Sequence, residues 1–195
     1  MSRISRLQQK FEQLYIDAFL VTDQKNIYYL TGFNLLQGDG CLLVTPQNAI
    51  IITDERYQLA LEEFESDEVV ATISRDYYGS VNKICEGLNL TVLGYEDTIS
   101  YHLFDAFDEL MTSDIVPFHH LIEKMRLVKD STEINKLRAA AELQSAGYDY
   151  FLSIVHPGIT ERELAIKLDY WMKMQGASGP SFPTIVASGA NSAKP

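Results

Sequence analysis

Basic residues are scarce in this chain. Sixteen lysines and arginines stand against 27 aspartates and glutamates, a formal charge of -11. A surface of that sign repels phosphates, which argues against nucleic acid as a partner and against anionic membranes. Cysteine is scarcer still. Cys41 and Cys85 are the only two and lie far apart, so a disulfide framework is not expected and buried thiols are. Long apolar runs are missing as well. No window approaches the roughly 18 consecutive apolar residues of a membrane helix. Arg3 and Arg6 lead into Gln8, Gln9, Lys10 and Glu12, not into the apolar core of a signal peptide. A soluble cytoplasmic protein is the expectation.

The usual catalytic signatures are also lacking. Gly38-Asp39-Gly40 precedes a strand-like run instead of joining a strand to a helix, so it reads as a turn and not as a phosphate cradle. The histidines are His102, His119, His120 and His156, and no pair has the spacing of a zinc site. In a strand, His119 and His120 would point to opposite faces, as surface or interdomain residues. No Gly-x-Ser-x-Gly elbow occurs, and neither cysteine has a histidine partner in its sequence context. The acidic groups Glu62-Glu63, Glu65 to Glu68, and Asp105, Asp108 and Glu109 read as solvated surface. There is no internal repeat and no low-complexity run.

What is present is ample apolar material, 46% of the residues, enough for a real core. Ile4, Leu7, Phe11, Leu14 and Ala18 recur at spacings of 3 and 4 and predict one amphipathic helix over residues 3–18. A short buried strand follows at residues 17–22, then a helical turn at Asn26 to Leu30 that stops at Gly32. Cys41 to Thr45 and Ala49 to Thr53 flank Pro46-Gln47-Asn48 and predict a β-hairpin. Helical segments at 56–64, 80–88 and 100–111 then alternate with strands at 69–73, 91–95 and 114–118. Pro117 assigns the last strand to an edge. The pattern predicts an α/β fold whose hairpin makes the sheet mixed.

Near Arg126 the pattern changes to helices. Asp130-Ser131-Thr132-Glu133 offers capping oxygens and an acid for a helix reaching about Val155 on Ile134, Leu137, Ala141, Tyr148 and Leu152. Pro157-Gly158 breaks it. Thr160-x-x-Glu163 reads as a capping box that starts another helix, with Leu164, Leu168 and Trp171 inward. Phe182 to Ala187 predicts a short terminal strand. Two long helices and one strand cannot bury one another's apolar faces. The expectation is a domain boundary near residue 125, with residues 1–125 as one domain, residues 126–195 as part of a second, and the chain as the front portion of a longer protein.

Five segments, in order along the chain, carry a resemblance. Tyr29-Leu30-Thr31-Gly32-Phe33 and Thr53-Asp54-Glu55-Arg56-Tyr57 come first. Arg126-Leu127-Val128-Lys129 with Glu133-Ile134 follows, then Pro157-Gly158-Ile159-Thr160-Glu161 with Glu163-Leu164-Ala165. The run Ser181 to Pro195, SFPTIVASGANSAKP, is the longest. Together they resemble the proline-specific metallopeptidases: the Xaa-Pro dipeptidase, aminopeptidase P and creatinase family.

The resemblance implies a creatinase-type N-terminal α/β domain with a mixed sheet and flanking helices, followed by an incomplete α+β pita-bread catalytic domain. It implies hydrolysis of Xaa-Pro peptides in the full-length parent by two divalent metal ions, usually manganese, with cobalt or zinc in some members. Two aspartates, a histidine and two glutamates would hold these ions, all of them beyond position 195. No catalytic and no metal residue is therefore assigned here, and this chain alone is expected to be inactive. Phe182 aligns where some members carry a tyrosine near the metals. A phenyl ring donates no hydrogen bond, so it would line the substrate pocket as an apolar wall, or else pack in the core. Family habit and the aromatic residues Tyr28, Tyr29, Phe33, Tyr57, Tyr77 and Tyr78 imply a homodimer. The alternative function is a non-catalytic peptide- or protein-binding module of creatinase-like fold. An unrelated α/β regulatory domain would not share the order of the motifs.

Overall fold

A computed structural model of the chain describes residues 1–194; Pro195, the last residue of the motif run, lies outside them. The chain divides into two compact units, Met1–Val128 and Lys129–Pro195.

The N-terminal unit opens on α1 (Arg3–Gln8) and α2 (Phe11–Leu14). Ser2 caps α1 by accepting from the Ser5 amide. The predicted stripe is right, since Ile4, Leu7 and Phe11 are buried, but the single helix is not. The rod breaks at Gln9 and Lys10, and Tyr15 takes a left-handed φ of 55°. That turn delivers Asp17 to the neighbouring strand. Asp17 Oδ2 accepts from the Thr91 and Val92 amides, at 2.7 and 3.0 Å. A continuous helix through Ala18 would forfeit those bonds and the strand that follows.

That strand is β1 (Ala18–Val21). After it come α3 (Gln24–Thr31), β2 (Gly40–Val44), β3 (Ala49–Thr53), α4 (Gln58–Glu62), β4 (Val69–Ile73), α5 (Tyr77–Gly87), β5 (Val92–Glu96), α6 (Tyr101–Leu110), β6 (Asp114–Phe118) and α7 (Leu121–Arg126). The six strands form one sheet in the order β4-β3-β2-β1-β5-β6. β2 pairs antiparallel with both β1 and β3, and the other pairs are parallel. The sheet is mixed and β6 is at its edge, both as the sequence predicts. Every residue of β1, β2 and β3 is buried, as expected for central strands covered on both faces. Side chains alternate between two cores. Phe19, Val21, Leu42, Val44 and Ile51 pack with α1, α2, α3 and α7. Ala18, Leu20, Cys41, Leu43, Ile50 and Ile52 pack with Val81, Cys85 and Phe107 of α5 and α6. Both cysteines are buried, and burial pushes the Cys41 thiol up to about 12 and the Cys85 thiol to about 11.

The C-terminal unit is a helical hairpin, α8 (Ser131–Ile154) and α9 (Glu161–Met174). Asp130 and Glu133 close a reciprocal capping box on α8. The box predicted at Thr160 forms by half. Thr160 accepts from the Glu163 amide, but the Glu163 carboxylate pairs with Lys167 Nζ at 2.8 Å, an i,i+4 partner within easy reach. Gly147 lets the helices approach, with Trp171, Leu168 and Met172 around it. Leu164 is buried, and Leu168 and Trp171 are half-buried. The predicted stripe of α8 stays in solvent: Leu137, Tyr148 and Leu152 are all more than half exposed.

The predicted strand at Phe182 to Ala187 is absent. Residues 183–188 have no ladder partner among the described residues, and a strand exists only through its neighbour. A 3₁₀ turn, Gly189–Ala193, follows. Among the described residues no helix is long and apolar enough to cross a membrane.

Candidate functional site

The sequence-predicted site residue, Phe182, lies in the C-terminal unit and is 68% exposed. It lines an open groove of about 1140 Å³ with Ala140, Leu143, Gly147 and Tyr148 of α8, Leu168 and Met172 of α9, residues 175–181, and Thr184 and Ile185. Gln144, which interrupts the α8 stripe, also faces the groove, as do Lys136, Asp169 and Lys173 at its polar margins. The groove combines apolar side chains with the charged groups of Lys136, Asp169 and Lys173.

Two polar clusters in the N-terminal unit escape the sequence reading. The first joins the Gly38-Asp39-Gly40 turn to the Thr53–Tyr57 motif. Asp54 accepts from the Arg56 amide and so starts a 3₁₀ turn, Glu55–Tyr57. Its carboxylate takes a two-pronged bond from the same arginine, Nε to Oδ1 at 2.9 Å and Nη2 to Oδ2 at 2.7 Å. Tyr77 adds a hydroxyl donor at 2.8 Å. Arg56 Nη2 also donates to Asp39, which receives the Tyr57 hydroxyl at 2.7 Å. The Arg56 bonds hold the Asp54 carboxyl well below the usual carboxylate range. Burial, then Asp39, raises the Tyr57 phenol; burial, then Asp54, raises that of Tyr77. Gln37 and Gly38 turn directly into β2, with Gly38 at a φ of 87°, so the turn reading holds.

The second cluster centres on Asn26, which is fully buried. Its Nδ2 donates to Glu96 Oε1 at 2.7 Å and to Glu123 Oε1 at 2.5 Å, while Oδ1 accepts from Arg126 Nη1 at 2.9 Å. Both amide hydrogens and the amide oxygen thereby have partners. Glu96 Oε2 accepts from the Thr22 and Asp23 amides, at 2.7 and 2.8 Å. Burial raises the Glu96 pKa against the opposing pull of Asn26 and those amides. Tyr29 donates its hydroxyl to the Met125 carbonyl. α7 is thus tied to α3 by Asn26 and Tyr29. Residues 26, 96 and 123 lie on three elements, and nothing in their local sequence marks them as partners.

The histidines do not behave as strand neighbours. β6 ends at Phe118, and His120 takes a φ of 53°. That folds the rings of His119 and His120 to within 3.8 Å of each other. His119 Nδ1 lies 2.8 Å from Asp97. Among the described residues no three His, Cys, Asp or Glu side chains converge as a metal centre. The acids read as surface are exposed. Of the six aromatics taken to mark a dimer face, Tyr29 and Phe33 are buried and only Tyr28 is largely exposed.

Three kinds of relative match this chain. The profile of the Creatinase/Prolidase N-terminal domain fits residues 3–128, and that of metallopeptidase family M24 fits residues 135–195. The chain is 31% identical over 199 residues to an uncharacterized peptidase of Bacillus subtilis, covering 99% of this chain and 55% of that protein. It is 30% identical to an Xaa-Pro dipeptidase of Pyrococcus furiosus, covering 99% and 54%. Among solved structures, an Xaa-Pro dipeptidase from Bacillus anthracis superposes with a TM-score of 0.86 at 34% identity, over 98% of this chain and 54% of that one. An X-Pro aminopeptidase from Thermotoga maritima gives 0.86 at 29% identity, over 100% and 55%. The chain therefore spans about half the length of the curated relatives it matches. With a mixed six-stranded sheet inside the profile match, the chain belongs to the creatinase/prolidase N-terminal domain family, and its residues from 135 onward continue into M24 metallopeptidase sequence.

Proposed function

We propose that this chain supplies the N-terminal domain and the opening helices of the catalytic domain of an Xaa-Pro peptidase, with domains meeting near residue 125. The observation that carries this reading is the match to Xaa-Pro dipeptidases over 98–99% of this chain. The substrate class is a small peptide cleaved before proline. In M24 enzymes the chemistry is supplied by divalent metal, which polarises the carbonyl and lowers the pKa of bound water. The described residues do not fit that group, because no three ligating side chains converge. No metal-dependent step is assigned to them. Their part is to shape an apolar trough beside Phe182 and to hold its margins.

Manganese as the preferred ion, a homodimer and a cytoplasmic location complete the proposal, on the strength of the resemblance. The test is direct. Protein from the native source should have an intact mass well above 22.1 kDa and should release proline from an Xaa-Pro dipeptide on addition of manganese. Purified residues 1–195 should do neither. Manganese-dependent turnover by residues 1–195 overturns the proposal. So does a native mass of 22.1 kDa without turnover, which would favour the second reading: a peptide-binding module whose ligand lies in the open groove of the C-terminal unit. Sedimentation showing only monomer at high concentration overturns the dimer.

A further inference from the structure

Residues 181–194 pose a structural question: they carry the longest motif of the chain, yet no β-ladder holds them among the described residues. Side chains of α9 hold them instead. Thr184 Oγ1 donates to Asp169 Oδ1 at 2.6 Å. Further along, the Ser188 amide donates to Glu161 Oε1 at 2.7 Å, and Asn191 Nδ2 reaches Oε1 and Oε2 of the same carboxylate at 3.3 and 3.0 Å.

The spacing of these anchors is informative. From Thr184 to Ser188 the chain advances four residues, about 13 Å if extended at roughly 3.3 Å each. From Asp169 back to Glu161 the helix retreats eight residues, about 12 Å at 1.5 Å each. The two lengths agree, and the pairing runs in opposite directions. Asp169 and Glu161 are also only about 80° apart around the helix, so one extended segment can meet both while crossing α9 at a slant. A single surface bond would mean little. Two carboxylates at the matching interval, one of them accepting three contacts, define a register.

We infer that Asp169 and Glu161 set the register of residues 184–191 along α9, which makes Glu161 a positioning residue for the Ser188–Ala193 motif. Several features support this assignment. Ser188 is extended, and Gly189 turns at a φ of 54° into the 3₁₀ turn that presents Asn191 back to Glu161. Within that turn Ser192 donates to the Gly189 carbonyl at 2.6 Å, which fixes its shape locally. Glu161 itself is the first residue of α9, directly after the Thr160 cap, so its backbone is fixed by the helix it opens. The Ser188 amide bond, followed by the Asn191 bond, holds the Glu161 carboxyl below its ordinary value. The role in catalysis rests on the peptidase reading above; the register does not.

The test uses residues 1–195 without metal or peptide, followed by amide hydrogen exchange and ¹H–¹⁵N NMR. Glu161→Ala should speed exchange at Ser188 roughly fivefold or more, the scale of losing a partly exposed charge-assisted bond. It should also move the Asn191 side-chain NH₂ resonances towards those of a solvent-exposed amide. Leu164 and Gly147 should keep their protection, and helix content by circular dichroism should stay unchanged. Glu161→Gln retains an acceptor oxygen and should restore much of the Ser188 protection. Asp169→Ala, which removes the acceptor of the Thr184 hydroxyl, should loosen Thr184 alone. The inference is overturned if Glu161→Ala leaves Ser188 and Asn191 unaltered. It is equally overturned if protection falls uniformly through α8 and α9, because the role would then be general stability. A native protein without peptidase activity would end the peptidase reading while leaving this readout intact.

Discussion

The two units solve the problem of burying apolar surface in opposite ways. Among the described residues, every buried apolar side chain except Leu164 belongs to the N-terminal unit. There a six-stranded sheet is covered on both faces, and the buried polar side chains of Asn26 and Glu96 are partnered. The C-terminal unit has two helices and an extended segment, and it leaves Leu137, Tyr148, Leu152, Ile166, Phe182 and Ile185 more than half exposed. A sheet supplies its own second dimension through backbone pairing. A helical hairpin does not, so each helix keeps a face that its one partner cannot cover. What holds the C-terminal unit's last segment is therefore side-chain bonding, where the N-terminal unit uses ladders.

This contrast can be broken by paired substitutions. Trp171, the only tryptophan, reports unfolding of the C-terminal unit by fluorescence, and circular dichroism follows the whole chain. Leu42→Ala, at a fully buried site in β2, should destabilise by about 3 kcal/mol. Leu152→Ala on the exposed stripe of α8 should change stability by less than about 0.5 kcal/mol. Equal effects in urea titrations would erase the distinction.

The polar core gives the next largest effect. Asn26→Ala removes a hub from one buried and two half-buried partners and should cost about 2 kcal/mol. Asn26→Asp sets a carboxylate against Glu96 and Glu123 and should cost more, about 3 kcal/mol. Thermal melts showing the aspartate variant as the more stable would contradict the assigned geometry.

A smaller contrast comes from one methyl group. At Gly94 in β5 an added Cβ would lie 2.7 Å from the Phe19 ring and 2.9 Å from Ile16. Both are core side chains with little room to move, so Gly94→Ala should cost about 2 kcal/mol. At Gly147 the same Cβ would meet the Met172 sulfur at 2.7 Å. Methionine is flexible and alanine favours helix, so Gly147→Ala should stay within about 1 kcal/mol of wild type. Chemical denaturation of the two variants side by side checks this.

The smallest effect is on pH. Glu96 has a raised folded-state pKa, so its contribution is fully present below the unfolded value of 4.5 and is lost as pH rises through the folded one. Asp54 is depressed, so its contribution is present above 3.8 and is lost as pH falls through its folded value. The stability of wild type relative to Glu96→Gln should therefore rise as pH drops from 7 towards 5. For Asp54→Asn the wild-type advantage should shrink only under more acid conditions. Parallel curves for Glu96→Gln across that range would remove the buried-carboxylate assignment.

Period and punctuation made much of the fold readable. The hairpin at Cys41 to Thr53, the stop at Gly32 and the edge strand carrying Pro117 all follow from local chemistry. Two expectations failed for a shared reason. The single helix over residues 3–18 and the strand at Phe182 to Ala187 each depended on a partner that periodicity does not contain. Asp17 pulls the first out of helix to cap β5, and the second lacks a neighbouring strand among the described residues and leans on α9. The polar clusters were invisible for the same reason, since Asn26, Glu96 and Glu123 are drawn together from three elements.

By itself the sequence determined the alternation of strands and helices, the mixed sheet, the acidic surface and the order of motifs that marks the family. Those are properties of neighbours along the chain, where spacing and turn chemistry act within a few residues. Tertiary structure alone decided which polar groups meet, that Asn26 ties α7 to α3, and that carboxylates of α9 hold the final segment. Such pairings join residues up to a hundred positions apart, and only the packing of the elements that carry them brings their atoms within bonding distance.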